Sequence, residues 1–235
     1  MSLRTAEPSR FATADEEAQA AHTALRDFIL AASFPCLGAR AAMRRGTYRF
    51  HMYERLGTCQ AARELHANLV AFATQRAAWD TAYATYIACF RHPKHLDEQT
   101  FEQLLWRQLQ DLHDVDAPQH AWDERVSSDP SDPRFSFSVG GEAFFVVGLN
   151  PGSWRDARRF SWPVLCFNPH EQFEALRDSG AYERLRDRIR GRDRALQGTD
   201  NPMLEDHGAR SEAAQYSGRL SGTQWQCPLQ LRTHS

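Results

Sequence analysis

The sequence predicts an α+β fold, with a helical N-terminal half packed on a small, mostly antiparallel sheet and a motif-rich C-terminal half. Three observations point there. Apolar residues recur at helical spacing through much of residues 14–112. Phe135, Phe137 and Val139 then alternate with serines, and Gly140-Gly141 separates them from the apolar run Ala143–Val147, which reads as a β-hairpin. Beyond residue 198 the chain turns polar and glycine-punctuated.

The elements follow in order. Residues 1–12 read as a tail, and Thr13-x-x-Glu16 reads as a capping box opening a helix with Ala18, Ala21, Leu25, Phe28 and Ile29. That helix should stop near Ser33, because Pro35 disfavours a helical Phe34. A short helix follows Pro35 and ends at Gly46. Ala61, Ala62, Leu65, Leu69 and Phe72 mark another helix, and Trp79, Ala82, Tyr83, Tyr86, Ile87 and Phe90 mark the next. The aromatic members of that stripe suit core better than a cofactor wall. Asp97 caps a helix carrying Phe101, Leu104, Leu105, Leu109 and Leu112. Residues 116–133, rich in Asp, Pro and Ser, read as a linker or long loop.

Val164–Phe167 is a third strand of the C-terminal half, running into Asn168-Pro169-His170-Glu171. There Asn168 suits the N-cap, Pro169 the first helical position and Glu171 the capping box. Phe173 and Leu176 continue that helix, Gly180 interrupts it, and Tyr182, Leu185 and Ile189 resume the stripe. One α+β domain over residues 13–228 is expected, with 229–235 a second tail.

Composition excludes several classes. With 42% hydrophobic and 25% charged residues among 235, the chain is ordinary globular protein. The formal charge of −2 gives no field for nucleic acid or an anionic membrane. No apolar run is long enough to span a bilayer, and the N-terminus lacks an apolar export signal. The five cysteines are scattered without a CxxC pair, so reduced thiols and a cytoplasmic location are expected. GxGxxG, P-loop, HExxH and GxSxG patterns are absent.

The remaining chemistry rests on a few side chains. His170 sits at a predicted helix N-terminus, where the helix dipole opposes imidazolium formation and leaves the neutral ring that a metal needs. The plainer reading is a histidine hydrogen-bonded in the first turn. Cys36 begins a helix, a position that favours thiolate, although a free cysteine is more often a small buried apolar group. Cys227 offers a second such thiol. The stretch 205–212 supplies the carboxylates Glu205, Asp206 and Glu212, which can grip a guanidinium or amine or lie in a solvated loop. Arg155, Arg158 and Arg159 form a basic cluster for carboxylates or a plain surface patch. His95-x-Asp97 hints at a non-heme iron site, but Asp97 is better read as a helix cap.

Longer stretches resemble the YqcI/YcgG family. They are Phe34–Arg40 (FPCLGAR), Phe144–Phe160 (FFVVGLNPGSWRDARRF), Val164–Arg177 (VLCFNPHEQFEALR), Asn201–Gly208 (NPMLEDHG), Ser211–Arg219 (SEAAQYSGR) and Trp225–Pro228 (WQCP). The resemblance implies heme b, dioxygen, an external electron donor and a guanidine or amine substrate such as arginine. The implied reaction is a heme-dependent monooxygenation that N-hydroxylates the substrate. His170 is then the expected iron ligand, with Cys36 the alternative and His207 and Cys227 behind them. Glu212, Asp206 and His207 are the expected catalytic or substrate-holding groups. Arg155, Arg158, Arg159 and Arg219 are the expected partners of propionates or a substrate carboxylate. Asn150 and Ala214 stand where the resemblance leads one to expect His and Arg. A heme-binding sensor or carrier and a non-heme iron oxygenase are the competing readings.

Overall fold

The computed structural model describes residues 13–79, 83–203, 211–222 and 224–232. Helices α1 (Ala14–Leu30) and α2 (Leu37–Arg45) lead into strand β1 (Tyr48–Arg55), followed by α3 (Cys59–Arg76), β2 (Thr85–His92) and α4 (Glu98–Asp116). Strands β3 (Phe137–Val139), β4 (Glu142–Leu149) and β5 (Val164–Pro169) come next, then α5 (His170–Asp178) and α6 (Tyr182–Gln197). Two short 3-10 turns, Asp156–Arg158 and Glu212–Gln215, complete the described elements. The fold is α+β, with a sheet in the order β1-β2-β5-β4-β3. The β1–β2 pair is parallel and the other neighbours are antiparallel.

Local chemistry sets most boundaries. The Thr13 hydroxyl accepts the Glu16 N–H at 3.2 Å and the Glu16 carboxylate accepts the Thr13 N–H at 2.7 Å, so the capping box forms. Helix α2 closes on Gly46 at φ 70°, a left-handed conformation that glycine adopts without a Cβ clash. Asp97 accepts the Thr100 N–H at 2.7 Å and caps α4, as its cap reading expects. Gly140 and Gly141, both at positive φ, make the β3–β4 turn.

Three expectations need correction. First, the stretch expected as a helix from Trp79 to Phe90 contains strand β2, and β1 lies in a half read as wholly helical. Tyr86, Ala88 and Phe90 face α3 and α4, while Ile87 and Cys89 face the α1–α2 side. A strand buried on both faces reads as a continuous apolar run, and its tyrosines happened to match helical spacing. Helix α3 is the crossover that a parallel β1–β2 pair requires. Second, Asn168 does not cap α5. It belongs to β5, its side-chain N–H groups donate to the Phe145 and Cys166 carbonyls, and Pro169 precedes the helix without a side-chain cap. Third, residues 229–232 lie along α4: Leu229 is buried, the Gln230 N–H donates to Gln110 at 2.8 Å, and Arg232 pairs with Asp114 at 2.7 Å.

Side chains alternate along the strands, so the sheet has two distinct faces. Phe144, Val146, Leu165 and Phe167 join Phe72, Phe101 and Leu105 in a packed core under α3 and α4. Each of these large side chains contributes roughly 1.5–3 kcal/mol by leaving water. Val147, Leu149, Cys166 and Asn168 point the other way, toward α2, α5 and α6. Among the described residues no helix is long and apolar enough to cross a membrane.

Candidate functional site

Between the second sheet face and helices α2, α5 and α6 lies a cavity of about 370 Å³. That falls within the size range of small-molecule and cofactor pockets. Its walls are mainly apolar, with Ile29 and Phe34 at one side, Val147 and Leu149 on the sheet, and Phe173 and Ile189 across from it. Polar groups are also present, with His170, Glu212, Asp193 and several arginines of α5, α6 and the Asp156–Arg158 turn among the lining residues.

The cavity brings together predicted residues from four stretches: Cys36, Arg155 and Arg158, His170, and Glu212. His170 opens α5 where β5 delivers it, so the strand-into-helix geometry stands even though the cap differs. Its Nε2 lies 3.3 Å from Glu174 Oε1, one turn along. Burial pushes the imidazole pKa down, with Glu174 working against it. A neutral ring oriented by a carboxylate is the arrangement metal-bound histidines use.

Two effects compete at Cys36. It caps α2, its Sγ accepting the Ala39 N–H at 3.4 Å, yet burial pushes its thiol pKa up despite the Ala39 and Gly38 amides. Desolvation of the charged form outweighs the helix terminus here, so the group is a thiol and not a thiolate. Cys227 packs against the core on the other sheet face, and burial raises its pKa to about 12.

Glu212 lies in the cavity wall, where its carboxyl accepts from Ser136 Oγ at 2.8 Å and the Tyr216 hydroxyl at 2.7 Å. Burial pushes its pKa up to about 7, the two hydroxyls only partly offsetting the loss of water. It therefore titrates near neutrality and can accept or release a proton when a charged ligand arrives.

The four arginines part company. Arg155 is buried in an ion pair with Asp193 and donates to the Thr199 and Asp200 carbonyls, which ties α6 to the Asp156–Arg158 turn. Arg159 is exposed, bonded to Ser153 O at 2.7 Å and paired with Asp156 at 3.0 Å. Arg219 grips Glu102, at 2.8 and 2.6 Å, and does not line the cavity. Arg158 alone of the four lines the cavity without a carboxylate partner among the described residues. Asp206 and His207 lie outside the described residues. Asn150, which stands where His was expected, is buried and accepts the Gly152 N–H at 2.9 Å, while Ala214 is simply buried.

Sequence reasoning missed Cys166, Arg177, Gln172 and Tyr83 as lining residues. Alternation alone could have found Cys166, which shares a face with Val164 and Asn168. A separate cluster was missed as well. His66, Asp116 and His120 present ligand-capable atoms within 4.8 Å of one another. Asp116 Oδ1 bonds His66 Nε2 at 2.8 Å and His120 Nδ1 at 2.9 Å, and accepts the Gly140 N–H at 2.8 Å. None of these three residues lines the cavity.

Fold and site thus define an α+β protein with a partly open, mainly apolar cavity lined by the His170 imidazole, the half-buried Cys36 and Cys166 thiols, the near-neutral Glu212 carboxyl and the half-buried Arg158 guanidinium. The family can be stated as well. The YqcI/YcgG family model matches residues 25–230, and the chain belongs to that family. It is 28% identical over 163 residues to "Uncharacterized protein YcgG" of Bacillus subtilis (strain 168), covering 67% of this chain and 63% of that protein. It is 27% identical over 157 residues to "Uncharacterized protein YqcI" of the same organism, covering 64% of this chain and 60% of that protein. The chain thus spans less than two thirds of the length of either relative. No solved structure matches.

Proposed function

We propose that this protein is a heme-dependent monooxygenase that N-hydroxylates a guanidine or amine, such as arginine or a derivative, using dioxygen and an external electron donor in the cytoplasm. The observation that carries the reading is the convergence of His170, Cys36 and Glu212 on one apolar cavity. The donor set fits a heme: a buried, neutral imidazole for iron, apolar walls for the macrocycle and the half-buried Arg158 guanidinium for a propionate. When bound, the heme would supply the activation of dioxygen.

The chain's own residues do the rest. His170 would hold the iron, with Glu174 orienting its ring. Cys36 is the alternative ligand, at the cost of ionising a buried thiol. The apolar wall excludes water and so protects a reactive centre. Glu212 receives the substrate: a guanidinium beside it draws its pKa down, and at pH 7 the carboxyl releases its proton as the ion pair forms.

An absorption spectrum tests the reading. Protein purified after heme-replete expression should show a Soret band that shifts with carbon monoxide, and His170→Ala should lose most of it. An unchanged spectrum in that variant would remove His170 from the ligand position. Substrate-dependent oxygen consumption separates an enzyme from a heme sensor or carrier. Titration with L-arginine in buffers of differing ionisation enthalpy should register the proton leaving Glu212.

A second reading, a non-heme iron oxygenase, draws on the His66–Asp116–His120 cluster, the residue types of a two-histidine, one-carboxylate iron site. It would be favoured by bound iron without a Soret band, lost in His66→Ala.

A further inference from the structure

Arg158 is held in place by backbone carbonyls and, among the described residues, has no carboxylate in an ion pair with it. Its Nη1 donates to the Tyr216 carbonyl at 3.0 Å and the Gly148 carbonyl at 3.3 Å. Gly218, at φ +79°, leaves the space its side chain fills; a Cβ there would lie 2.7 Å from Arg158 Cδ. Two carbonyls and a glycine thus immobilise the guanidinium before any ligand arrives. The side chain has intermediate accessibility and lines the cavity, and burial pushes its pKa down to about 10.

Other arginines near the site show what is missing. Arg155 has Asp193 and Arg219 has Glu102. Arg158 has carbonyl oxygens and, among the described residues, no carboxylate. The main influences favouring its charge are Cys166, Asp193 and Cys36, of which Asp193 is already paired with Arg155 and both thiols are pushed toward the neutral form. A buried charge without a counter-ion is costly, and a preorganised guanidinium fork matches a carboxylate.

We propose that Arg158 is the anion anchor of the cavity, and that the cavity's occupant is a molecule with an apolar body whose carboxylate seats against that guanidinium. The inference concerns the same cavity as the proposed function but does not require the heme. Under the proposed function the carboxylate belongs to a porphyrin propionate or to the α-carboxylate of the substrate.

Two matched fluorescent probes test the anchor without heme. 1-Anilinonaphthalene-8-sulfonate carries an anionic group, and N-phenyl-1-naphthylamine is its neutral counterpart. The wild type should bind the anionic probe roughly tenfold or more tightly than the neutral one, the size of one charge-assisted contact. Arg158→Met should abolish that preference while keeping the neutral probe. Should Arg158→Met not fold, Arg158→Gln, which retains a donor for the two carbonyls, is read in the same way. Equal binding of both probes to the wild type, or an undiminished preference in the folded variant, overturns the proposal.

A second arm separates the sources. Hemin is compared with its dimethyl ester, and L-arginine with agmatine, which lacks the carboxylate. Loss of discrimination by the variant in the first pair assigns Arg158 to a propionate, and in the second to the substrate. Failure of hemin to bind with the probe preference intact would sink the heme reading and leave the anchor standing.

Discussion

The same strands build a filled face and a hollow one. Toward α3 and α4, Phe144, Val146, Leu165 and Phe167 interlock with helix side chains and are fully buried. Toward α2, α5 and α6, Val147, Cys166 and Asn168 line open space. The difference lies in the covering elements. Helix α3 is a direct crossover and α4 presents Phe101, Leu105 and Leu109 as a continuous apolar stripe. Helix α6 is rich in arginine, and its one fully buried side chain among the described residues is Asp193. One face is packed throughout, and the other is packed against α1 through Ile87, Cys89 and Val164 but opens into the cavity beneath α5 and α6.

That contrast can be broken in order of expected effect. Leu165→Ala on the filled face should cost about 2–5 kcal/mol in urea denaturation, because transfer and cavity terms add where nothing can relax. A loss under about 1 kcal/mol would show that this face is less tightly packed than its burial indicates.

Glu212 comes next, with its pKa raised to about 7 by burial. The folded state then holds a proton that the unfolded state, titrating near 4.5, gives up. The unliganded protein should lose stability as pH rises through that window, and the contribution is lost above pH 7. Glu212→Gln should remove the slope and be the more stable form at pH 8, by about 1–3 kcal/mol. Parallel pH profiles for the two proteins would refute the burial argument.

Gly218→Ala is third. Positive φ and the 2.7 Å approach to Arg158 together should cost about 1–2 kcal/mol in thermal or urea unfolding. Smallest is Leu185→Ala on the hollow face, expected below about 1 kcal/mol because its neighbour is already space. A loss matching that of Leu165→Ala would mean that the two faces are packed alike.

The hairpin, the helix starts at Thr13 and Asp97, and the stops near Gly46 and Gly180 were legible because each depends on residues close in the chain. Strand β2 was not, since burial on both faces erases the alternation that marks a strand. His170, Cys36 and Glu212 were legible as residue types, and all three line one cavity. Their electrostatics were less so. The helix terminus at Cys36 is visible in sequence, but the burial that outweighs it comes from the whole fold. Nor could sequence tell which arginine of the cluster would find an acid, because Asp193 reaches Arg155 from a different element.

Asp116 has a consequence for exchange with solvent. Its Oδ1 holds the Gly140 N–H as well as two histidines, one on α3 and one beyond the end of α4. Hairpin-turn amides ordinarily trade their hydrogens with solvent on a timescale set by local fraying. The Gly140 amide is instead tied to the filled side of the molecule. In deuterium oxide it should exchange as slowly as the strand amides beside it, which makes this turn a reporter of the opening of the α3–α4 layer.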